Sequence, residues 1–393
     1  MIVKIDKLSH DLNGISKING KVTFIPNTLP KEVVDIKLIE DKKNYSTGKV
    51  LSYIEKNKDR KDNPCPYFSK CGGCSFSGIS YQKSLEYKKE IFIDIFEKYT
   101  NLDINPNIIA SNEEFNYRNK ITMKVDKGHL SLTKEESNNL INIDYCYLVN
   151  DNINKIIKKL NVVDLTGLNK VIIRGDSEIM VILKGEYDCN NIIDILKEDV
   201  ISIIYNDKCI YGKEYITVDI NKYKYAIYPD SFFQINTSMI NKMYSKIKEY
   251  AGSSNSLLDL YCGAGTIGIY LSDNFKKIKG IEINKDAIKG ANFNKELNNI
   301  NNITFELNNV NKNINITEDV VVVDPPRSGL DDKIRSILLN SKVKKIVYMS
   351  CNPITLARDI NILKENYNLK DITIFDNFPN TKHMESICFL ERR

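Results

Sequence analysis

The 393-residue chain has no apolar run approaching the roughly 20 residues that span a bilayer. Its opening, MIVKIDKLSHDLNG, has no apolar stretch of signal-peptide length. Membrane insertion and secretion are therefore not expected, and the chain reads as soluble and cytoplasmic. No internal repeat or low-complexity tract is visible, so nothing suggests a solenoid or a long disordered segment. A large excess of either charge is also missing. The net charge of +5 permits a polyanionic partner such as RNA without requiring one.

What the chain does have is nine cysteines, and in a reducing compartment a disulfide framework is not the expected use for them. Three lie together in CPYFSKCGGC, residues 65–74. That cluster reads as metal-binding or catalytic. At this length the chain has room for two or three domains.

Residues 1–62 show short runs rich in Val, Ile, Phe and Tyr, such as KVTFIPNTLP, EVVDIKLIE and YSTGKVLSYIE, separated by turn residues. They predict a five-stranded OB-like β-barrel, a module whose curved face commonly takes oligonucleotides. Lys21, Lys37, Lys42, Lys43 and Lys49 could contact phosphate there, or simply keep the barrel soluble. KNKDRKDNP reads as a polar linker. Beyond the cysteines, Leu85, Phe92, Ile95, Phe96 and Tyr99 fall on one stripe of an amphipathic helix. Residues 103–230 mix strand and helix signals. From 231 onward apolar runs alternate with helical segments, which predicts a parallel sheet covered on both faces, with ligands at the carboxyl ends of its strands. The last two runs should form a hairpin pair.

The chemistry-bearing motifs lie at those strand ends. Gly263, Gly265 and Gly268 in LLDLYCGAGTIGIYL follow a strand and open a helix, so the backbone can approach a nucleotide closely. Glu282 ends the next run, where a carboxylate can accept both ribose hydroxyls. A nicotinamide or an S-adenosylmethionine adenosyl group would both suit these features. Only a single half-domain follows, however, and DPPRSGL puts Asp324 and two rigid prolines at a later strand tip, which favours the methyl donor. Cys351 in SCNP stands near a helix N-terminus, a setting that favours thiolate. Glu385 in HMES could face it as a carboxylate base, with His383 either orienting it or lying on the surface.

A thiol, a methyl donor and a base together suggest methylation of uracil at carbon 5. That carbon is too weak a nucleophile unaided, but a thiolate adding to carbon 6 makes it an enolate. The target base must be out of its stack, so a loop or remodelled hairpin is the expected RNA.

At this point the sequence resembles the TRAM-domain iron–sulfur RNA uracil-5-methyltransferases that modify bacterial 23S ribosomal RNA. The resemblance runs through nearly the whole chain: GKVTFIPNTLPKEVV, CPYFSKCGGC, YRNK, SFFQIN, DLYCGAG, DPPRSGL, SCNP and HMES occur in one order. It implies an N-terminal TRAM barrel, a central α+β iron–sulfur domain and a C-terminal Rossmann-like class I S-adenosylmethionine-dependent methyltransferase domain. The implied boundaries are 1–62 for the barrel, 63–80 with 103–230 for the central domain, and 81–102 with 231–393 for the catalytic domain. Cys351 is implied as nucleophile and Glu385 as proton acceptor. Gln234, Tyr261, Glu282 and Asp324 match the cofactor contacts. Cys146 matches the distant fourth ligand that, with Cys65, Cys71 and Cys74, holds a [4Fe-4S] cluster. Spacing alone leaves zinc open, though three plus one leans toward iron. Cys189, Cys209, Cys262 and Cys388 read as structural, and Arg118 and Arg327 as phosphate or base contacts. No obligate protein partner is implied.

Three other readings stand beside this one. The same reaction could occur on transfer RNA or at two ribosomal sites. A cytosine-5 methyltransferase usually has a cysteine directly after the proline of the fourth-strand motif, and DPPRSG has none. From a different class, the chain could be a catalytically inactive RNA-binding iron–sulfur protein.

Overall fold

The computed structural model describes residues 1–135, 137–310 and 314–393. The N-terminal strands Ile2–Lys4, Lys7–Leu8, Gly14–Ile18, Lys21–Ile25, Val33–Asp41 and Tyr45–Glu55 form one sheet. Ile2–Lys4 pairs with Val33–Asp41 at one edge, and Lys7–Leu8 pairs with Gly14–Ile18 at the other. Only Ile5 and Asp6 separate the two short strands, and their N–H groups donate to Glu32 O and Ile15 O, each at 2.8 Å. They act as one bent strand shared by both edges, so the sheet closes on itself. Six strands thus occupy the place of the five expected. Ile5, Ile25, Val34 and Ile36 fill the interior.

The polar segment after the barrel is not a free linker. Arg60 donates from Nε and Nη2 to the two oxygens of Glu32, at 2.5 and 2.9 Å, and the Glu32 side chain is fully buried. Such two-pronged guanidinium–carboxylate bonding fixes orientation as well as distance.

The central sheet runs Leu140–Asn142, His129–Thr133, Lys120–Asp126, Leu168–Gly175, Ile179–Gly185, Ser202–Tyr205 and Lys208–Gly212. Its one parallel pair, Ile179–Gly185 with Ser202–Tyr205, is bridged by the helix Asn190–Leu196, as parallel pairing requires. Helix Asp151–Leu160 covers one face through Ile153, Ile156, Ile157 and Leu160. Asn150 caps it by accepting from Ile153 N at 2.9 Å.

The C-terminal sheet has eight strands, in the order Ile303–Leu307, Phe275–Glu282, Ser254–Leu260, Val320–Val323, Lys345–Ser350, Glu385–Arg392, Tyr367–Phe375 and Asn107–Ile109. All pairs are parallel except the two made by Glu385–Arg392. The closing hairpin pair is therefore present. Asn107–Ile109 departs from the expected boundary at 102, because Ile108 pairs with Ile374 and extends this sheet. Three residues are too few to carry a periodic signal.

Helix Tyr81–Thr100 packs on the same sheet. Its Ile91, Phe92, Ile95 and Phe96 share a core with Val321, Ile346, Leu356 and Ile360. Tyr99, expected on the buried stripe, is 40% exposed instead, whereas Lys88 is 1% exposed. A second core joins Ile172, Met180 and Ile182 of the central sheet to Leu257, Val322 and Val347 of the C-terminal one. Among the described residues no helix is long and apolar enough to cross a membrane.

Candidate active site and four-cysteine site

The strand register assembles the row of tips. Leu260 pairs with Ile281 and with Val323, which brings Tyr261 level with Glu282 and Asp324. Ser350 pairs with Ser386 in the antiparallel sense, which brings Cys351 level with Glu385.

The turn after Leu260 is tightly wound. Tyr261, Gly263 and Gly265 have φ of 63, 52 and 77°, all left-handed. A Cβ on Gly265 would lie 2.5 Å from Phe305 Cζ, whereas one on Gly263 would meet nothing within 4 Å. Gly265 is thus required for packing, while Gly263 leaves open space in front of the turn. Glu282 holds the turn from below, accepting from Gly263 N at 3.2 Å and from Ile283 N and Asn284 N at 2.8 Å.

Asp259 is a functional candidate that the sequence reading passed over. It is fully buried, accepts from Gly268 N at 3.1 Å, and its second oxygen has no partner. Burial pushes its carboxyl up to about 8, with Asp324 and Glu282 adding repulsion. An acid inside the apolar run LLDLYC was the available signal.

Asp324 opens a loop whose far end is gripped by the buried Asp359. That carboxylate accepts from Leu330 N at 2.8 Å, Tyr348 Oη at 2.7 Å and Arg335 Nη1 at 2.5 Å. The loop is also tied to the SCNP turn, since Arg327 O accepts from Asn352 Nδ2 at 3.0 Å and Thr355 Oγ1 at 3.2 Å. Burial pushes the Asp324 carboxyl up to about 7.

Cys351 precedes Asn352, the N-cap of helix Pro353–Leu363. The helix terminus does not act alone on this thiol. Burial foremost, then the carboxylates of Glu385 and Asp324, push the thiol up to about 11, with Arg327 opposing. Glu385 is buried and its carboxyl is held well above the usual range by burial and Asp324. The His383 ring lies edge-on to Phe378, with centroids 6.0 Å apart. It is kept neutral, pushed down to about 4 by burial and by Arg327, Lys382, Lys88 and Arg118.

Gln234 lies at the other end of the row of tips from Glu282. Its Oε1 accepts from Asn377 Nδ2 at 3.1 Å, beside the loop that leads to Glu385. Tyr261, Glu282, Asp324, Cys351 and Glu385 therefore share one rim, and Gln234 closes its far side.

Cys65, Cys71, Cys74 and Cys146 line one small cavity, walled otherwise mainly by aromatic and aliphatic side chains such as Phe68, Phe115, Leu132 and Ile143. Asn154 fixes the distant cysteine by accepting from Cys146 N at 2.9 Å and donating to Cys146 O at 3.1 Å. Burial and the neighbouring sulfurs raise Cys71 and Cys146, and push Cys74 up to about 12. Among the described residues no three ligand side chains converge where a single metal ion could sit.

A cleft of about 790 Å³ is lined by Cys146 and His383 among others, and it carries Arg118, Lys120, Lys134 and Lys382. Of the barrel lysines, Lys21 and Lys42 are already paired, with Asp41 and Glu40.

A sheet in this order, with a glycine turn after its third strand and an acid at the neighbouring tip, defines the class I S-adenosylmethionine-dependent methyltransferase fold. Comparison with known proteins narrows the class. A family model described as tRNA (Uracil-5-)-methyltransferase matches residues 191–393, and a TRAM domain model matches residues 1–51. An uncharacterized RNA methyltransferase of Halalkalibacterium halodurans is 33% identical, covering 99% of this chain and 96% of the relative. One from Aquifex aeolicus is also 33% identical, over 98% and 97%. Among solved structures, the Pyrococcus abyssi tRNA (uracil-54, C5)-methyltransferase in complex with S-adenosyl-L-homocysteine superposes with a TM-score of 0.84 and 26% identity, covering 99% of each chain. The chain belongs to the TRAM-containing RNA (uracil-5-)-methyltransferase family and is an S-adenosylmethionine-dependent enzyme.

Proposed function

We propose that the protein methylates carbon 5 of a uridine in 23S ribosomal RNA, forming 5-methyluridine through a covalent adduct between Cys351 and carbon 6. The observation that carries this reading is the antiparallel register that sets Cys351 level with Glu385 on adjacent strand tips, with Asp324 close to both. A base held between those tips would have the thiol toward carbon 6 and the carboxylate toward carbon 5.

The Cys351 thiol gives up its proton to water and its sulfur bonds to carbon 6, which moves the ring electron pair onto carbon 5. S-adenosylmethionine, when bound, supplies the electrophilic methyl group that carbon 5 takes up. Glu385, as carboxylate, then removes the carbon 5 proton. The electrons of that C–H bond restore the ring double bond, and the Cys351–carbon 6 bond breaks. Burial raises the Glu385 carboxyl, which makes it a stronger base once ionised, whereas the Cys351 thiol has to lose its proton against its burial. Tyr261, Glu282 and Asp324 would hold the cofactor along the rim, with Gln234 at its far side. The carboxylates of Asp259, Glu282 and Asp324 suit the positive charge of a sulfonium.

The residues present also suit a [4Fe-4S] cluster. Four thiols share one apolar-walled cavity, as such a centre requires, and they do not converge on a point. A single tetrahedral zinc at about 2.3 Å from each sulfur would need the four to converge on one point. Cys65, Cys71, Cys74 and Cys146 would hold the cluster, whose bonds tie residues 65–74 to the central sheet. The reaction contains no redox step, so its part is structural. The domain division proposed is 1–62 and the central sheet for gripping RNA in the cytoplasm, with the C-terminal sheet for catalysis.

A second substrate reading, transfer RNA, is favoured by the Pyrococcus abyssi neighbour, which is named for a transfer-RNA uracil and matches this chain from end to end. Possession of a barrel therefore does not decide between the two RNAs. Mass mapping of ribosomal and transfer RNA from a deletion strain decides it. Loss of 5-methyluridine at a 23S position supports the proposal, and loss confined to transfer RNA overturns its substrate. Trapping on 5-fluorouridine RNA tests the chemistry, because carbon 5 then has no proton to lose. The wild type should form a stable adduct, and one that survives Cys351→Ala would sink the nucleophile assignment.

A further inference from the structure

Between strands Tyr367–Phe375 and Glu385–Arg392 lies the loop 376–384, DNFPNTKHM, and most of it is buried. A buried loop must find partners for its polar backbone inside the protein. Here two of those backbone demands and one carboxylate meet at one side chain. Lys88 Nζ donates to Asp376 Oδ1 at 2.5 Å, to Phe378 O at 3.2 Å and to His383 O at 3.0 Å. An ammonium has three N–H donors, and all three are used.

The acceptors are spread in a telling way. Asp376 is the first residue of the loop, and His383 stands two residues before Glu385. Lys88 thus ties the start of the loop to its end. Both partners of the ion pair are fully enclosed, with side chains 1% and 0% exposed.

Other groups grip the middle. Tyr117 Oη donates to Pro379 O at 3.0 Å, and Phe76 N donates to Asn380 O at 2.9 Å. Ser75 Oγ accepts from Lys382 N at 3.0 Å. Ser75 and Phe76 directly follow Cys74, so the four-cysteine segment leans on the same loop.

We propose that Lys88 is a positioning residue for Glu385: by binding both ends of the 376–384 loop to one ammonium, it holds the carboxylate opposite Cys351 for removal of the carbon 5 proton. This rests on the reading of Glu385 as proton acceptor. Lys88 touches no reacting atom. Its effect should appear only in the step that Glu385 performs.

Trapping on 5-fluorouridine RNA requires Cys351 attack and methyl transfer but no proton removal, whereas turnover on uridine RNA requires all three. Both are measured with the transcript that the wild type methylates, on Lys88→Met/Asp376→Asn, which removes the buried pair together, and on Glu385→Gln. In the double variant, trapping should stay within about threefold of wild type while turnover falls about 10–100-fold, because a displaced base loses much of its contribution. Denaturing gels should show methylated enzyme–RNA adduct accumulating on ordinary uridine RNA. A purely structural role would lower trapping and turnover in proportion, and that result overturns the proposal. Unchanged turnover overturns it too. Glu385→Gln separates the two ideas: if it turns over normally the acceptor reading fails, whereas if it stalls and the Lys88 variant does not, only the positioning role fails. Tyr117→Phe, which removes one grip and leaves no buried charge, provides the same split on a smaller scale should the Lys88 variant not fold.

Discussion

Labelling of Cys351 by iodoacetamide across pH tests which of two opposed effects governs the proposed nucleophile. The residue precedes the N-cap of helix Pro353–Leu363. A helix N-terminus stabilises a nearby anion by about 0.3–1 kcal/mol, less than one pKa unit. Against it stand burial and the carboxylates of Glu385 and Asp324, which lift the thiol from an ordinary 9.0 to about 11. The second effect is the larger. A rise of that size cuts the thiolate fraction at pH 8 by about 100-fold, and the greater nucleophilicity of a more basic sulfur restores about tenfold. Labelling at pH 8 should therefore run about tenfold slower than at a free cysteine, and should keep accelerating beyond about pH 10. Glu385→Gln removes the larger of the two repelling charges, so the apparent pKa should fall and labelling quicken; Arg327→Gln should act in the opposite direction. Mass spectrometry of the Cys351 peptide gives each rate. A wild-type midpoint at or below the ordinary value, or one that Glu385→Gln leaves in place, would refute this electrostatic reasoning. If it stands, the thiol of the free enzyme is protonated, and a cofactor carrying a positive sulfonium should lower its pKa where the uncharged thioether product does not.

Gly265→Ala forces a left-handed alanine, about 1–3 kcal/mol, and drives its Cβ to 2.5 Å from Phe305. With about 1–3 kcal/mol for overpacking, urea unfolding should show a total loss of about 2–6 kcal/mol, and a loss under about 1 kcal/mol would contradict the packing argument. Asp359→Asn strips the buried charge that binds Arg335, Tyr348 and Leu330 N. It should cost about 3–5 kcal/mol in the same assay, with the S-adenosylhomocysteine affinity weakened because the Asp324 loop loses its anchor. Cys74→Ser should lower iron content and also melting temperature or RNA affinity, while Cys351 labelling keeps its pH profile. A variant that lost iron but kept stability, affinity and turnover would rule out a structural cluster.

The parts of the molecule that could be read from sequence are those whose signal is local. The glycine turn, the tip acids Glu282 and Asp324, and the SCNP turn each sit where an apolar run stops and a helix starts, and the structure places each at a strand end. The closing hairpin pair was legible because no helical pattern separates its two runs. What could not be read depends on partners distant in the chain. Asn107–Ile109 is a strand only because Tyr367–Phe375 offers it an edge. Tyr99 looks like a core residue by its spacing, yet the helix ends in solvent there, and Lys88 looks like a surface residue, yet Asp376 and two carbonyls receive it in the interior.

The same division applies at Cys351. Its helix terminus is a local feature and argues for a thiolate, but the burial that opposes it, and the carboxylates that add to that burial, come from other strands. Local pattern therefore locates the reacting groups, while their protonation and orientation are set by charges brought in through the fold. Lys88 is the clearest instance, since its three bonds all go to a loop near the opposite end of the chain. A change there should leave every motif in place and still alter the reaction, which is why the trapping and turnover assays have to be read as a pair.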